Sequence, residues 1–210
     1  LGEVKAALAV LAFGFVDNGV PPSSDAFRRA FEGKNGQSAL RDKVTVLHCT
    51  TAYPTPFEEV NLRAMQTLGE TFNLPVGLSD HTMGIAVPIA AVACGATIIE
   101  KHFTLDRDLP GPDHKASLVP AELMDMISAI RQVEMALGDG EKKPTPAERE
   151  NMRAARKSLV ALRGVRAGER FTPENLGVKR PADGISPMAY WDRIGRPATR
   201  DYAADEIIDP

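Results

Sequence analysis

The sequence predicts an α/β fold: the C-terminal part of a (β/α)₈ TIM barrel, followed by a small β-rich module. Three observations carry this. Three β-branched or apolar runs, starting near residues 43, 75 and 96, each lead through a loop into a helical segment. Such units in succession imply parallel strands with right-handed crossovers. No GxGxxG turn follows the first strand, which disfavours an open dinucleotide-binding sheet. From Ser158 on the segments are short and broken by Gly or Pro, as in a compact β module.

The elements follow in order. Leu1 to Leu11 has apolar residues at helical spacing with no N-cap ahead of it, so the chain reads as a fragment that begins in mid-helix. Eight barrel units need about 250 residues, so five strands are expected upstream of Leu1. Val16 to Arg41 is a polar excursion with one short helix near Asp25 to Phe31. Lys43 to Cys49 (KVTVLHC) is a buried strand, broken by Pro54 and Pro56, and Glu58 to Phe72 is a helix. Pro75 to Ser79 is the second strand. Ile85 to Cys94 is an apolar helix capped by Gly95. Ala96 to His102 is the third strand, followed by a loop holding Pro110, Gly111 and Pro112. Pro120 to Leu137 is an amphipathic helix stopped by Gly138 and Gly140. The predicted domains are residues 1–140 (barrel part), 141–157 (a charged linker with a helix starting near Pro146) and 158–210 (the β module).

Composition excludes several classes. Lys plus Arg is 25 and Asp plus Glu is 28, a net charge of −3, too acidic and too mixed for a nucleic-acid partner. No apolar run approaches the ~18 residues of a membrane span. Two cysteines, Cys49 and Cys94, make no disulfide framework. With no secretory signal visible, they suit a reducing cytoplasm. Apolar surroundings favour a buried, inert thiol for both.

Chemistry is expected at the strand ends. SDHT (79–82) ends the second strand and EKHFT (100–104) the third, so His81 and His102 lie one repeat apart. Adjacent parallel strands are about 4.8 Å apart, so two imidazoles at matching ends can converge on one metal ion. Ser79 shares a face with His81, and Glu100 with His102. Two nitrogens with open positions suit Mn²⁺, Co²⁺ or Mg²⁺ better than zinc. The same spacing also fits two hydrogen-bonded histidines with no metal. Tyr53, after the first strand, either lines a pocket or packs. Asp113 sits on a proline-stiffened loop where a carboxylate can bind hydroxyls, whereas His114 and Lys115 read as solvated.

The motifs HCTTAYPTP, GLSDHT, GATIIEKHFTLDR, PGPDHKASL, ARKSLVA and ENLGVKRP occur in this order. Together they resemble the N-acetylneuraminate (sialic acid) synthases and the related legionaminate and pseudaminate synthases, over Lys43 to Asp209. The DHKASL segment looks more like the sialic or legionaminic enzymes. The resemblance implies a (β/α)₈ barrel with a small SAF (antifreeze-like, β-clip) domain. The implied reaction condenses phosphoenolpyruvate with N-acetylmannosamine or a related N-acetylated aminosugar, giving a nonulosonic acid and phosphate. It implies a divalent metal, Mn²⁺ first, on His81 and His102, with Glu100 beside it. Ser79 matches a phosphoenolpyruvate-binding serine, Tyr53 and Asp113 match residues that touch the sugar, and Arg180 matches an arginine inserted into a partner's site in a domain-swapped homodimer. The phosphate-binding lysines would lie upstream of Leu1. The alternatives are another metal-dependent barrel aldolase or epimerase, and an inactive binding or assembly fragment.

Overall fold

The structure, a computed structural model, describes residues 1–16 and 19–209. They cluster into two units, residues 1–140 and 141–210.

The first unit opens with α1 (Gly2–Phe15), α2 (Ser24–Glu32) and α3 (Lys34–Lys43). The hydroxyl of Ser23 caps α2 by accepting the Ala26 N–H at 3.1 Å. Only one helix was expected in Val16 to Arg41, and α3 is a second. Gly36 within it serves close packing. A Cβ there would lie 1.9 Å from the Ala30 carbonyl oxygen and 3.3 Å from the Ala12 Cβ. That approach seats Leu40 in a core with Leu8, Ala12, Leu68, Phe72 and Leu74. Asp17 and Asn18 of the same stretch lie outside the described residues.

The βα repeat follows: β1 (Val46–Cys49), α4 (Arg63–Phe72), β2 (Val76–Asp80), α5 (Ala86–Ala93), β3 (Ile99–Lys101) and α6 (Pro120–Leu137). The strands are parallel in the order β1-β2-β3. This is the α/β class expected, with each strand feeding the helix that covers it. The predicted helix from Glu58 splits into a 3₁₀ turn, Phe57–Glu59, and α4, because Asn61 turns left-handed at φ 49°. Gly95, at φ 95°, ends α5 as expected. The apolar faces of α4 and α5 meet the sheet through Val60, Met65, Leu78, Val87, Ala91 and Ala96. A fully buried side chain such as Leu78 contributes about 1.5–3 kcal/mol. Neither cysteine is part of this core, contrary to expectation: both are exposed. Cys94 is the C-cap of α5, and Cys49 is the last residue of β1.

In the second unit α7 (Pro146–Ala155) is capped by Thr145 and Glu148 in a reciprocal box. It is tied to the module by Arg153, whose carbonyl accepts the Ala182 N–H and whose guanidinium pairs with Asp183. Antiparallel β4 (Ser158–Ala161) and β5 (Leu176–Lys179), with bridges such as Val165 to Tyr202, enclose Leu159, Phe171, Leu176, Tyr202 and Ile208. A short α8 (Tyr190–Arg193) follows. Among the described residues, no helix is long and apolar enough to cross a membrane.

Candidate functional site

Strand register builds the site. Ser79 pairs with Glu100 and Asp80 with Lys101, so the next residues, His81 and His102, lie side by side at the C-terminal edge of the sheet. Their ring centroids are 5.3 Å apart. The ring of Tyr53 lies 4.1 Å from that of His81 and 5.7 Å from that of His102. Oδ2 of Asp113 is 4.0 Å from Nδ1 of His102. Tyr53, Asp80, His81, His102, Asp113 and Ala116 line one small cleft.

His81 is held in a defined tautomer. Its Nδ1 is 2.9 Å from the carbonyl oxygen of Thr50. A carbonyl only accepts, so Nδ1 carries a proton, and in the neutral ring Nε2 keeps its lone pair. The His81 carbonyl accepts the N–H of Thr55 at 2.9 Å. Thr55 is buried, and its hydroxyl donates to the carbonyl of Ala52 at 2.8 Å, closing the loop that carries both Thr50 and Tyr53. The Cys49 Sγ lies 3.8 Å from the same Nδ1.

On the face shared with the histidines, the hydroxyl of Ser79 donates to Oε1 of Glu100 at 2.6 Å. On the other face the structure shows a cluster that sequence reasoning missed. Nζ of Lys101 donates to Oδ2 of Asp80 at 2.5 Å and to the carbonyl of Thr82 at 2.7 Å. Asp80 in turn accepts the Thr82 N–H at 3.0 Å and the Thr82 hydroxyl at 3.1 Å. Both charged side chains are almost wholly buried, at 3% and 1% exposure. The signal was available: the 21-residue offset that pairs the histidines also pairs their preceding neighbours.

The loop that carries Asp113 is braced. The carbonyl of Asp113 accepts the Ser117 hydroxyl at 2.7 Å, and the Ser117 carbonyl accepts Arg107 Nε at 3.1 Å. The Arg107 guanidinium also pairs with Glu122, the third residue of α6. That guanidinium, and then the Val119 N–H, hold the Glu122 carboxyl below its usual range. His114, expected to be solvated, is half-buried. Its Nδ1 lies 2.8 Å from the Thr104 hydroxyl, which donates its own proton to the Asp106 carbonyl, so the imidazole is the donor. Arg180 belongs to the second unit, directly after β5, where its Nε donates to the Ala155 carbonyl at 2.9 Å.

Among the described residues, no group of three or more His, Cys, Asp or Glu is set to hold a metal. The donor set is the histidine pair. An imidazole whose Nδ1–H is fixed by a backbone carbonyl is arranged as metal-binding histidines are, with Nε2 available. These residues therefore fit an open cation site completed by water or substrate.

Residues 1–142 match the NeuB family and residues 156–210 the SAF domain. The chain belongs to the NeuB family. This NeuB-family chain is 55% identical over 208 residues to the N,N'-diacetyllegionaminic acid synthase of Campylobacter jejuni, covering 99% of the chain and 55% of that protein. It is 44% identical over 171 residues to the synthase of the same name from Legionella pneumophila, covering 81% and 48%. The crystal structure of an N-acetylneuraminic acid (sialic acid) synthetase from Leptospira borgpetersenii, in complex with citrate, matches at 33% identity and TM-score 0.52. That match covers 69% of this chain and 51% of the other. The chain spans about half the length of the curated relatives it matches.

Proposed function

We propose that this NeuB-family protein supplies the metal-binding half of a nonulosonic acid synthase, a transferase that condenses phosphoenolpyruvate with an N-acetylated aminosugar. The observation that carries the reading is the register-matched pair His81 and His102, with His81 Nδ1 occupied by the Thr50 carbonyl. The relatives' names support the same reaction class. Both synthases named above make a product with two N-acetyl groups. Phosphoenolpyruvate carries no nitrogen, so both acetamido groups must arrive on the sugar. A doubly N-acetylated aminosugar is therefore the favoured acceptor, with N-acetylmannosamine the alternative.

In the reaction, C3 of phosphoenolpyruvate bonds to the sugar's aldehyde carbon. Water adds at C2 and phosphate leaves with C–O cleavage, giving a 2-keto acid. A divalent cation on His81 and His102, Mn²⁺ before Mg²⁺ or Co²⁺, would supply Lewis-acid polarisation of the aldehyde. Thr50 keeps the Nε2 lone pair of His81 available by holding the proton on Nδ1. Ser79 is assigned to phosphoenolpyruvate. Glu100, which accepts the Ser79 hydrogen bond on the face of the histidines, is assigned to hold or move a proton. Tyr53 and Asp113, against the two imidazoles, are assigned to the sugar. Arg180 is assigned to the sugar across a two-fold homodimer, where its planar fork can grip oxygens as lysine cannot.

Replacing His81 or His102 by Ala in the intact protein tests the assignment. Loss of metal-dependent turnover in both variants is expected. Full activity after exhaustive chelation, or in either variant, would contradict it.

A further inference from the structure

The buried pair Asp80–Lys101 has no place in that chemistry, yet it lies directly behind it. We propose that Lys101, Asp80 and Thr82 form a clamp that positions His81 beside His102. Lys101 is the positioning residue that sets cation affinity. The inference rests on the reading of the two histidines as the cation site.

The geometry carries it. Asp80 and Thr82 are the residues on either side of His81, and Lys101 precedes His102. Lys101 Nζ reaches across from β3 to hold the Asp80 carboxylate and the Thr82 carbonyl at once, so it grips the chain both before and after His81. Asp80 closes the same turn from within, through the N–H and hydroxyl of Thr82. The turn carrying His81 is thus tied to the residue that carries His102. The Thr55 N–H and the Thr50 carbonyl hold His81 from the β1 side.

Energetics argue against stability as the sole role. Burying two charges costs several kcal/mol each, and a well-packed apolar pair of similar volume is often as stable or more so. Both members of this pair have hydrogen-bond partners, and no buried side-chain polar atom among the described residues lacks one. What an apolar pair cannot copy is a fixed, directional tie to the Asp80 side chain and the Thr82 backbone, the residues on either side of His81. Loss of groups that orient a metal ligand typically lowers affinity about 10- to 100-fold.

The test compares three variants of the intact protein, read by Mn²⁺ titration and by thermal unfolding of the metal-free form. Lys101→Met leaves Asp80 uncompensated and risks misfolding. The double variant Asp80→Asn/Lys101→Met therefore removes both charges at nearly constant volume. Lys101→Arg restores the donors. The expected result is that the double variant unfolds near the wild-type temperature but binds Mn²⁺ at least about tenfold more weakly. ¹⁵N spectra of its metal-free form should show the His81 imidazole no longer locked as the Nδ1–H tautomer. Lys101→Arg should recover most of the affinity. A double variant that folds and binds Mn²⁺ like wild type, with the tautomer unchanged, overturns the clamp. The same holds if Lys101→Arg binds no better than the double variant. Failure of wild-type protein itself to bind Mn²⁺, with His81→Ala indistinguishable from it, instead overturns the underlying reading of the cation site.

Discussion

Thr55→Val isolates what the loop after β1 does for the site. Thr55 is 5% exposed, and valine matches its shape, so packing is nearly unchanged. The hydroxyl's hydrogen bond to the Ala52 carbonyl at 2.8 Å is lost, while the backbone N–H to His81 remains. Leaving a buried acceptor unpaired costs about 1–3 kcal/mol. Ala52 is only half-buried, so water can partly replace the donor, and the cost should sit near 1 kcal/mol. For a chain of this length that lowers the midpoint of unfolding by about 2–4 °C. The functional effect should be larger than this modest loss suggests. The loop also carries the Thr50 carbonyl that fixes the His81 tautomer and the Tyr53 ring that rests on it. Mn²⁺ affinity should fall by about tenfold, the low end for residues that orient ligands indirectly. Thr55→Ser should restore both. Scanning calorimetry and Mn²⁺ titration on the same samples decide the matter. A midpoint shift with unchanged affinity would refute the idea that this loop orients His81.

Three further outcomes are expected, the first two from the geometry and the third from the proposed role of Arg180. Glu100→Gln keeps an acceptor for Ser79 but removes the charge, so turnover should drop at least 100-fold, in keeping with loss of a proton-transfer group, while Mn²⁺ still binds; wild-type turnover in this variant would remove Glu100 from the chemistry. Glu122 is held below its ordinary value of 4.5, first by Arg107, so its contribution to stability is present above that value and is lost as pH falls through the lower folded one. Urea unfolding from pH 6 down to pH 3 should therefore show a shallower acid decline in Glu122→Gln than in wild type, and parallel curves would contradict the assignment. Arg180→Lys should weaken sugar use more than phosphoenolpyruvate use, and mixed dimers of Arg180→Ala with His81→Ala should regain activity; mixed dimers as inactive as both parents would show that Arg180 does not act on a partner.

The order of strands and helices was legible because each βα unit repeats one pattern: a β-branched run, a loop, then a helical stripe. The histidines were legible for the same reason, since a fixed offset in parallel strands keeps register. The Asp80–Lys101 pair follows the identical offset, and it stayed hidden because the offset was applied only to the face shared by Ser79, His81, Glu100 and His102. Helix α3 was obscured by Gly36, whose missing side chain serves close packing rather than a turn. Cys94 was misplaced because an almost wholly apolar helix gives no clue to which side faces solvent. The brace from Glu122 through Arg107 and Ser117 to Asp113 depends on how a loop folds back on α6, which no periodicity encodes.

The most direct measurement of the central claim is the stoichiometry of phosphate and keto acid formed from phosphoenolpyruvate by the intact protein, with and without an N-acetylated aminosugar. Phosphate should appear only when sugar and a divalent cation are both present, one for each nine-carbon keto acid, and fastest with a doubly N-acetylated acceptor. Phosphate release that is indifferent to the sugar, or no keto acid with any N-acetylated aminosugar, would contradict it.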